Sequence, residues 1–242
     1  MKSIFKKEIN QFFSSPIGYI SMGIFFILST LFLWVIEGDY NLIDHRFADL
    51  TPFFQLAPWI IIFVISAISM KTLSEEYKTG TIETLLTKPL SGSDLIMGKF
   101  FAVWLFGIIM LIPSIIYVWS IQHLAQEGQK IEWGIIFSSY IGLIFLIGAF
   151  TAIGIFTSLL FKNQVSAFLS GLLLMFLFYY GFEGIGNFNL LGSLDYLIQS
   201  LGIKIHYENF IKGLIKLKDL VYFISLILFF TISAIIIIQR KR

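Results

Sequence analysis

The chain has 242 residues, of which 57% are hydrophobic and only 13% charged, and its mean hydropathy is +0.85. Lys and Arg number 17 against 15 Asp and Glu, for a formal net charge of +2. An ordinary soluble domain carries roughly 25% charged residues, so this composition excludes an independent soluble domain. The absence of cysteine excludes disulfides and thiolate metal sites.

In chain order, the first predicted element is an amphipathic helix over residues 1–16. Ile4, Phe5, Glu8, Ile9, Phe12 and Phe13 fall mostly on one face, with Lys2, Lys6, Lys7, Asn10 and Gln11 on the other. A helix divided this way lies in the plane of a membrane interface, its basic side toward anionic lipid. Pro16 lets the chain turn into the first apolar run, Ile17–Ile36. That run is too long for the h-region of a secretory signal. It also continues into Glu37-Gly38-Asp39-Tyr40 without an Ala-x-Ala-like site, so it is expected to stay in the membrane. A crossing takes about 20 apolar residues. Pro58–Leu73 is the shortest of the candidate spans and carries Ser66 and Ser69 near its end.

A polar loop over residues 74–99 follows. Residues Thr72 to Tyr77 extend the second helix past the lipid and bring Glu75 and Glu76 with them. Gly80 permits a backbone turn that other residues resist. Thr81 is placed to cap a new short helix, with Glu83 in its first turn, Leu85 and Leu86 on an apolar edge, and Pro89 as the stop. A short capped helix held at a membrane surface suits docking into a groove on a soluble partner. The stretch from Gly92 to Phe100 looks like a phosphate-binding loop, but it has one residue too many between its glycines and Phe100 where a hydroxyl belongs. This chain is therefore expected to bind no ATP by a P-loop.

Four more spans are predicted: Phe100–Ile121, Trp133–Phe161, Val165–Phe182 and Leu220–Ile238. Small residues run along the fourth span, where Gly148-x-x-x-Ala152 and Gly154-x-x-x-Ser158 allow close helix contact. Trp34, Trp59, Trp104, Trp119 and Trp133 are read as interfacial aromatics near span ends. The segment from Glu183 to Asp219 is too long for a plain connector. Its amphipathic stretches, Leu194 to Gln199 and Phe210 to Lys216, are expected to form short helices that dip into the outer interface and cap a permeation route, or to rest on the headgroups.

Lys and Arg concentrate on the cytoplasmic side of membrane proteins. With both termini on one side, eleven of the seventeen basic residues fall there, for a net charge of +6 against −4 across the membrane. The predicted fold class is thus an all-α polytopic membrane protein with six transmembrane helices and both termini cytoplasmic. It divides into the N-terminal interfacial helix (1–16) and a transmembrane domain (17–242).

The run Glu76-Tyr77-Lys78-Thr79-Gly80-Thr81-Ile82-Glu83-Thr84-Leu85-Leu86, followed by Pro89-Leu90-Ser91, resembles the signature of type-2 ABC exporter permeases. A second run, His206-Tyr207-Glu208-Asn209-Phe210 with Gly213, Asp219 and Tyr222 beyond it, is similar to the extracytoplasmic approach to the last span in that family. Within the family the chain most resembles the gliding-motility permease subunits of Bacteroidota and the related copper-site maturation permeases. The resemblance implies a membrane subunit in the bacterial cytoplasmic (inner) membrane that pairs with a second permease, identical or not. Separate ABC ATPase subunits would supply ATP hydrolysis, binding ATP and Mg themselves and docking on the loop from Glu75 to Leu86. It implies membrane lipid as the surroundings, no cofactor in this chain and no nucleic-acid partner. Glu76, Gly80, Thr81 and Glu83 are the positions it carries over.

Other function classes find less support. Glu37, Lys71, His123, Glu132, Lys162 and Glu183 all sit at span ends, whereas a proton-coupled carrier places ionisable groups at membrane depth. A membrane enzyme lacks material, because His45, His123 and His206 are scattered over different loops and read as surface groups. The alternative to a transporter is a non-transporting membrane scaffold that uses an ATPase as a mechanochemical signal.

Overall fold

The computed structural model describes residues 1–42, 49–78, 80, 91–124, 132–187 and 192–240. Eleven α-helices are formed by these residues, and no strand. They are α1 (Lys2–Ser14), α2 (Pro16–Trp34), α3 (Thr51–Lys78), α4 (Gly92–Leu111), α5 (Ile115–Leu124), α6 (Trp133–Leu160), α7 (Gln164–Phe176), α8 (Phe182–Asn187), α9 (Ser193–Gln199), α10 (Ile203–Ile211) and α11 (Leu217–Arg240). A 3₁₀ turn at Ile112–Ser114 joins α4 to α5, where Pro113 cannot supply a helical amide, and a π-turn at Leu177–Gly181 joins α7 to α8. Six helices or helix runs are long and apolar enough to cross a membrane.

Local chemistry sets the ends. Ser15 caps α2 by accepting from the Ile17 amide at 3.3 Å, with Pro16 in the first turn, where its missing N–H costs nothing. Ser91 caps α4 through the Asp94 amide at 3.0 Å, so α4 begins well before the predicted Phe100. The second span also exceeds its predicted Pro58–Leu73 and runs from Thr51 to Lys78. At its polar C-terminal end, Glu76 pairs with Lys99 of α4.

The bundle is built around α3 and α6, whose spans are 72% and 78% buried, against 28% for α2 and 22% for the span of α7. Lipid tails are as apolar as leucine, so close packing and interhelical hydrogen bonds hold such helices together. Gly154 on α6 allows this approach, because a Cβ there would sit 2.5 Å from the Ser69 side chain of α3. One turn on, the Ser158 hydroxyl accepts from the Leu73 and Ser74 amides at 3.1 Å each and donates to the Met70 carbonyl at 3.0 Å. Trp104 is not a span-end residue. It lies within α4 and donates its indole N–H to Ile144 O of α6 at 2.9 Å.

The N-terminal helix forms as expected, but its apolar face has a protein partner. Ile4 and Glu8 are buried, and the rings of Phe12 and Phe13 lie 5.0 and 5.9 Å from Phe106 of α4. The two chain ends share one end of the bundle: the Met1 amine is 3.3 Å from Asp94, and a Cβ on Gly92 would meet Ile238 of α11. At the opposite end, α10 is packed inward with Ile203, Tyr207 and Phe210 fully buried, and Tyr207 donates to Phe54 O of α3 at 2.8 Å. Phe210 to Lys216 is therefore not one amphipathic helix. Helix α10 stops at Ile211, while Tyr196, Leu197 and Leu201, on α9 and just beyond it, remain exposed.

Candidate functional site

At the end that carries both termini, Lys99 of α4 is the central group. It is 1% exposed, inside a helix rather than in the loop where the sequence placed it. Its ammonium donates to Glu8 Oε1 of α1 at 2.7 Å, to Glu76 Oε1 of α3 at 2.9 Å, and to the Thr72 carbonyl. Lys7 Nζ approaches the same Glu76 oxygen at 3.8 Å. An isolated ammonium this deep would lose its charge, whereas two carboxylates and a carbonyl supply the acceptors that make burial tolerable. Three helices remote in sequence are thus joined at one nitrogen.

A cavity of about 500 Å³ opens beside this junction, lined by Lys7, Glu8, Gln11, Lys71, Glu75 and Glu76, among others. Of the residues singled out on the polar loop, Glu75 and Glu76 end α3 here, and Gly80 follows with φ +70 and its amide 3.3 Å from Tyr77 O. Thr81, Glu83, Leu85, Leu86 and Pro89 lie outside the described residues. The root of the loop is therefore clamped to α1 and α4 through Glu76. Sequence reasoning missed Lys99, although one signal was present. Glu8 falls on the apolar face of α1, and a charge in that position requires a buried partner.

At the opposite end, Gly213, Asp219 and Tyr222 come together with His206. Gly213 has φ +77 and forms a Schellman turn, with its own amide on Phe210 O (3.0 Å) and the Leu214 amide on Asn209 O (2.9 Å). That turn folds α11 back onto α10. His206 Nδ1 then lies 2.6 Å from Asp219 Oδ1 and Nε2 lies 2.9 Å from Ser200 O, while Asn209 donates to Asp219 Oδ2 at 2.9 Å. The Tyr222 ring stacks on the imidazole at 3.9 Å and its hydroxyl donates to Leu201 O at 2.6 Å. A carbonyl only accepts, so Nε2 carries a hydrogen. His206 is thus a buried, fully partnered residue rather than a surface group. Its partner stands 13 positions away and only the turn at Gly213 brings it near.

No group of three or more His, Cys, Asp or Glu that could hold a metal occurs among the described residues. Both ends offer ion-paired junctions between helices. Compared with known protein families, residues 2–239 match the ABC-2 family transporter protein. The chain belongs to the ABC-2 family. It is accordingly a permease subunit of an ABC transporter and a multi-pass membrane protein, and the family works with an ABC ATPase subunit. A search of curated proteins finds no match to it.

Proposed function

We propose that this ABC-2 subunit lies in the bacterial cytoplasmic membrane with both termini inside, pairs with a second permease, and receives its ATPase on the loop over residues 74–99. The orientation is supported by the charge difference of +6 against −4 between the two sides. One observation carries the coupling role: Lys99 ties Glu76, four residues before Gly80, to Glu8 on the N-terminal helix. A push on the loop would move the end of α3, α1 and α4 together, because a buried ion-paired junction does not yield piecemeal. The interfacial position of α1 adds a lipid contact to the same moving part. Export linked to gliding motility or to surface assembly is the cargo reading, supported by the resemblance of the Glu76–Ser91 run.

The test is a pull-down of tagged protein in mild detergent, with mass spectrometry and an ATPase assay, on wild type and Glu83→Lys. Wild type is expected to retain a P-loop ATPase. The variant, at equal yield and unchanged unfolding temperature, is expected to retain roughly tenfold less, equivalent to about 1.4 kcal/mol. Equal recovery by both would place docking elsewhere. A well-folded wild type that retains no ATPase would overturn the docking role of the loop.

A further inference from the structure

Helix α1 rests on α4 at Gly98, where an added Cβ would stand 3.0 Å from Ile4 Cβ. Beside this contact lies a second cavity, of about 360 Å³, separate from the one at the Lys99 junction. Phe101, Trp104, Leu105 and Ile108 line it from α4, and Lys2 and Phe5 from α1. The four α4 residues fall on one stripe of that helix and, with Gly98, extend about 15 Å along it.

The α4 wall is hydrocarbon. Trp104 commits its indole N–H to Ile144 O at 2.9 Å, so its ring offers only carbon to the cavity, and the Phe101 ring stands 6.0 Å from it. A buried water needs two to four polar partners, and Lys2 is the one polar side chain in the lining. Helix α4 belongs to a run long and apolar enough to cross a membrane, and Leu105 is 37% exposed. The cavity therefore opens on the lipid-facing side of the helix, where hydrocarbon rather than water is the filler.

Charge at the α1 side narrows the occupant. Lys6 follows Lys2 by one helical turn on the same side of α1, and both are exposed. No carboxylate pairs with either among the described residues, whereas Lys7 on the adjoining face is drawn to Glu76. Asp94, the acid in the first turn of α4, is already engaged by the Met1 amine at 3.3 Å. Two uncompensated cations beside an apolar slot complement an amphiphile with an anionic head and a hydrocarbon tail. A headgroup that also carries a cation gains less, because Lys2 and Lys6 bring no acid to receive it.

We propose that this cavity seats one acyl chain of an anionic phospholipid, whose phosphate is held by Lys2 and Lys6. The slot supplies close packing for the chain, and the two lysines supply the choice of headgroup. The volume lies within the roughly 300–1,000 Å³ of small-molecule sites, so a defined part of one lipid fits. The bound lipid braces α1 against α4, and the site does not depend on where an ATPase docks.

The test is native mass spectrometry of the full chain, stripped of lipid by detergent exchange. It is titrated with palmitoyl-oleoyl phosphatidylglycerol or with phosphatidylcholine of the same chains. Wild type is expected to retain one phosphatidylglycerol more tightly than any phosphatidylcholine, and glycerol phosphate without chains is expected not to displace it. Lys2→Gln, an exposed change that leaves the packing of α1 intact, is expected to weaken phosphatidylglycerol about fivefold and leave phosphatidylcholine unaltered. Leu105→Trp, which fills the slot, is expected to weaken both lipids; if it fails to fold, Lys2→Gln decides alone. Equal retention of the two lipids by wild type overturns the proposal. Phosphatidylglycerol binding unaltered by Lys2→Gln shows an adventitious lipid only and overturns it too. A Leu105→Trp variant that keeps its lipid but changes oligomeric state assigns the slot to a second copy of the chain, which also overturns it.

Discussion

Lys99 and His206 mark the two ends of the bundle, and each buries charge in a different way. Lys99 joins α1, α3 and α4 across separations of 91 and 23 residues, with two carboxylates converging on one ammonium and a cavity of about 500 Å³ alongside. His206 joins α10 to the next helix across 13 residues, and every polar atom of that ring has a partner. The first arrangement gathers remote helices at the root of a loop. The second closes a local turn, as a staple does. An ion pair within a membrane protein is thus better read by which elements it joins than by its depth.

The largest expected effect breaks the first junction. Lys99→Ala leaves Glu8 and Glu76 facing each other without their shared cation, and the loss should be about 3–5 kcal/mol. It should appear as a lower unfolding temperature in detergent and as lost coupling of ATPase activity. Replacing all three groups together by apolar residues of similar volume (Glu8→Leu, Lys99→Met, Glu76→Leu) sharpens the point. Stability should return, because apolar packing substitutes well for a buried ion cluster. Coupling should return only if the junction transmits force by packing alone.

A smaller effect is expected at the staple. Asp219→Ala takes the acceptor from both His206 and Asn209, and buried donors left unpaired should cost about 1–3 kcal/mol. Hydrogen exchange should rise around the turn between α10 and α11 and remain unchanged in α1 and α3. Loss of ATPase coupling at full expression would remove the distinction between the two ends.

The six spans were legible because a long apolar run bounded by polar loops is stable in a bilayer and costly in water. Legibility failed where a polar side chain finds its partner on a remote helix. Lys99 was assigned to a loop, because sequence proximity does not show Glu8 coming to meet it. His206 was misjudged for the same reason, with Asp219 hidden behind a turn. The π-turn was not legible either, since Leu177–Gly181 reads as ordinary apolar helix. At the site, the motif singled out Glu76, but its ammonium partner came only from the fold.

The smallest expected effect tests what makes the staple possible. Gly213 holds φ +77, a conformation that costs an alanine roughly 1–2 kcal/mol. A Cβ there would also meet Ile135 Cγ1 at 3.1 Å, close enough that Ile135 must shift. Gly213→Ala should therefore destabilise by about that amount and loosen the His206–Asp219 contact, read as raised exchange of the Leu214 amide. Gly213→Asn separates the two causes, because asparagine tolerates this backbone region while carrying the same Cβ. An asparagine variant that recovers most of the loss assigns it to the backbone angle. One as unstable as the alanine variant assigns it to crowding against Ile135, and the staple is then held in place by α6 as much as by its own turn.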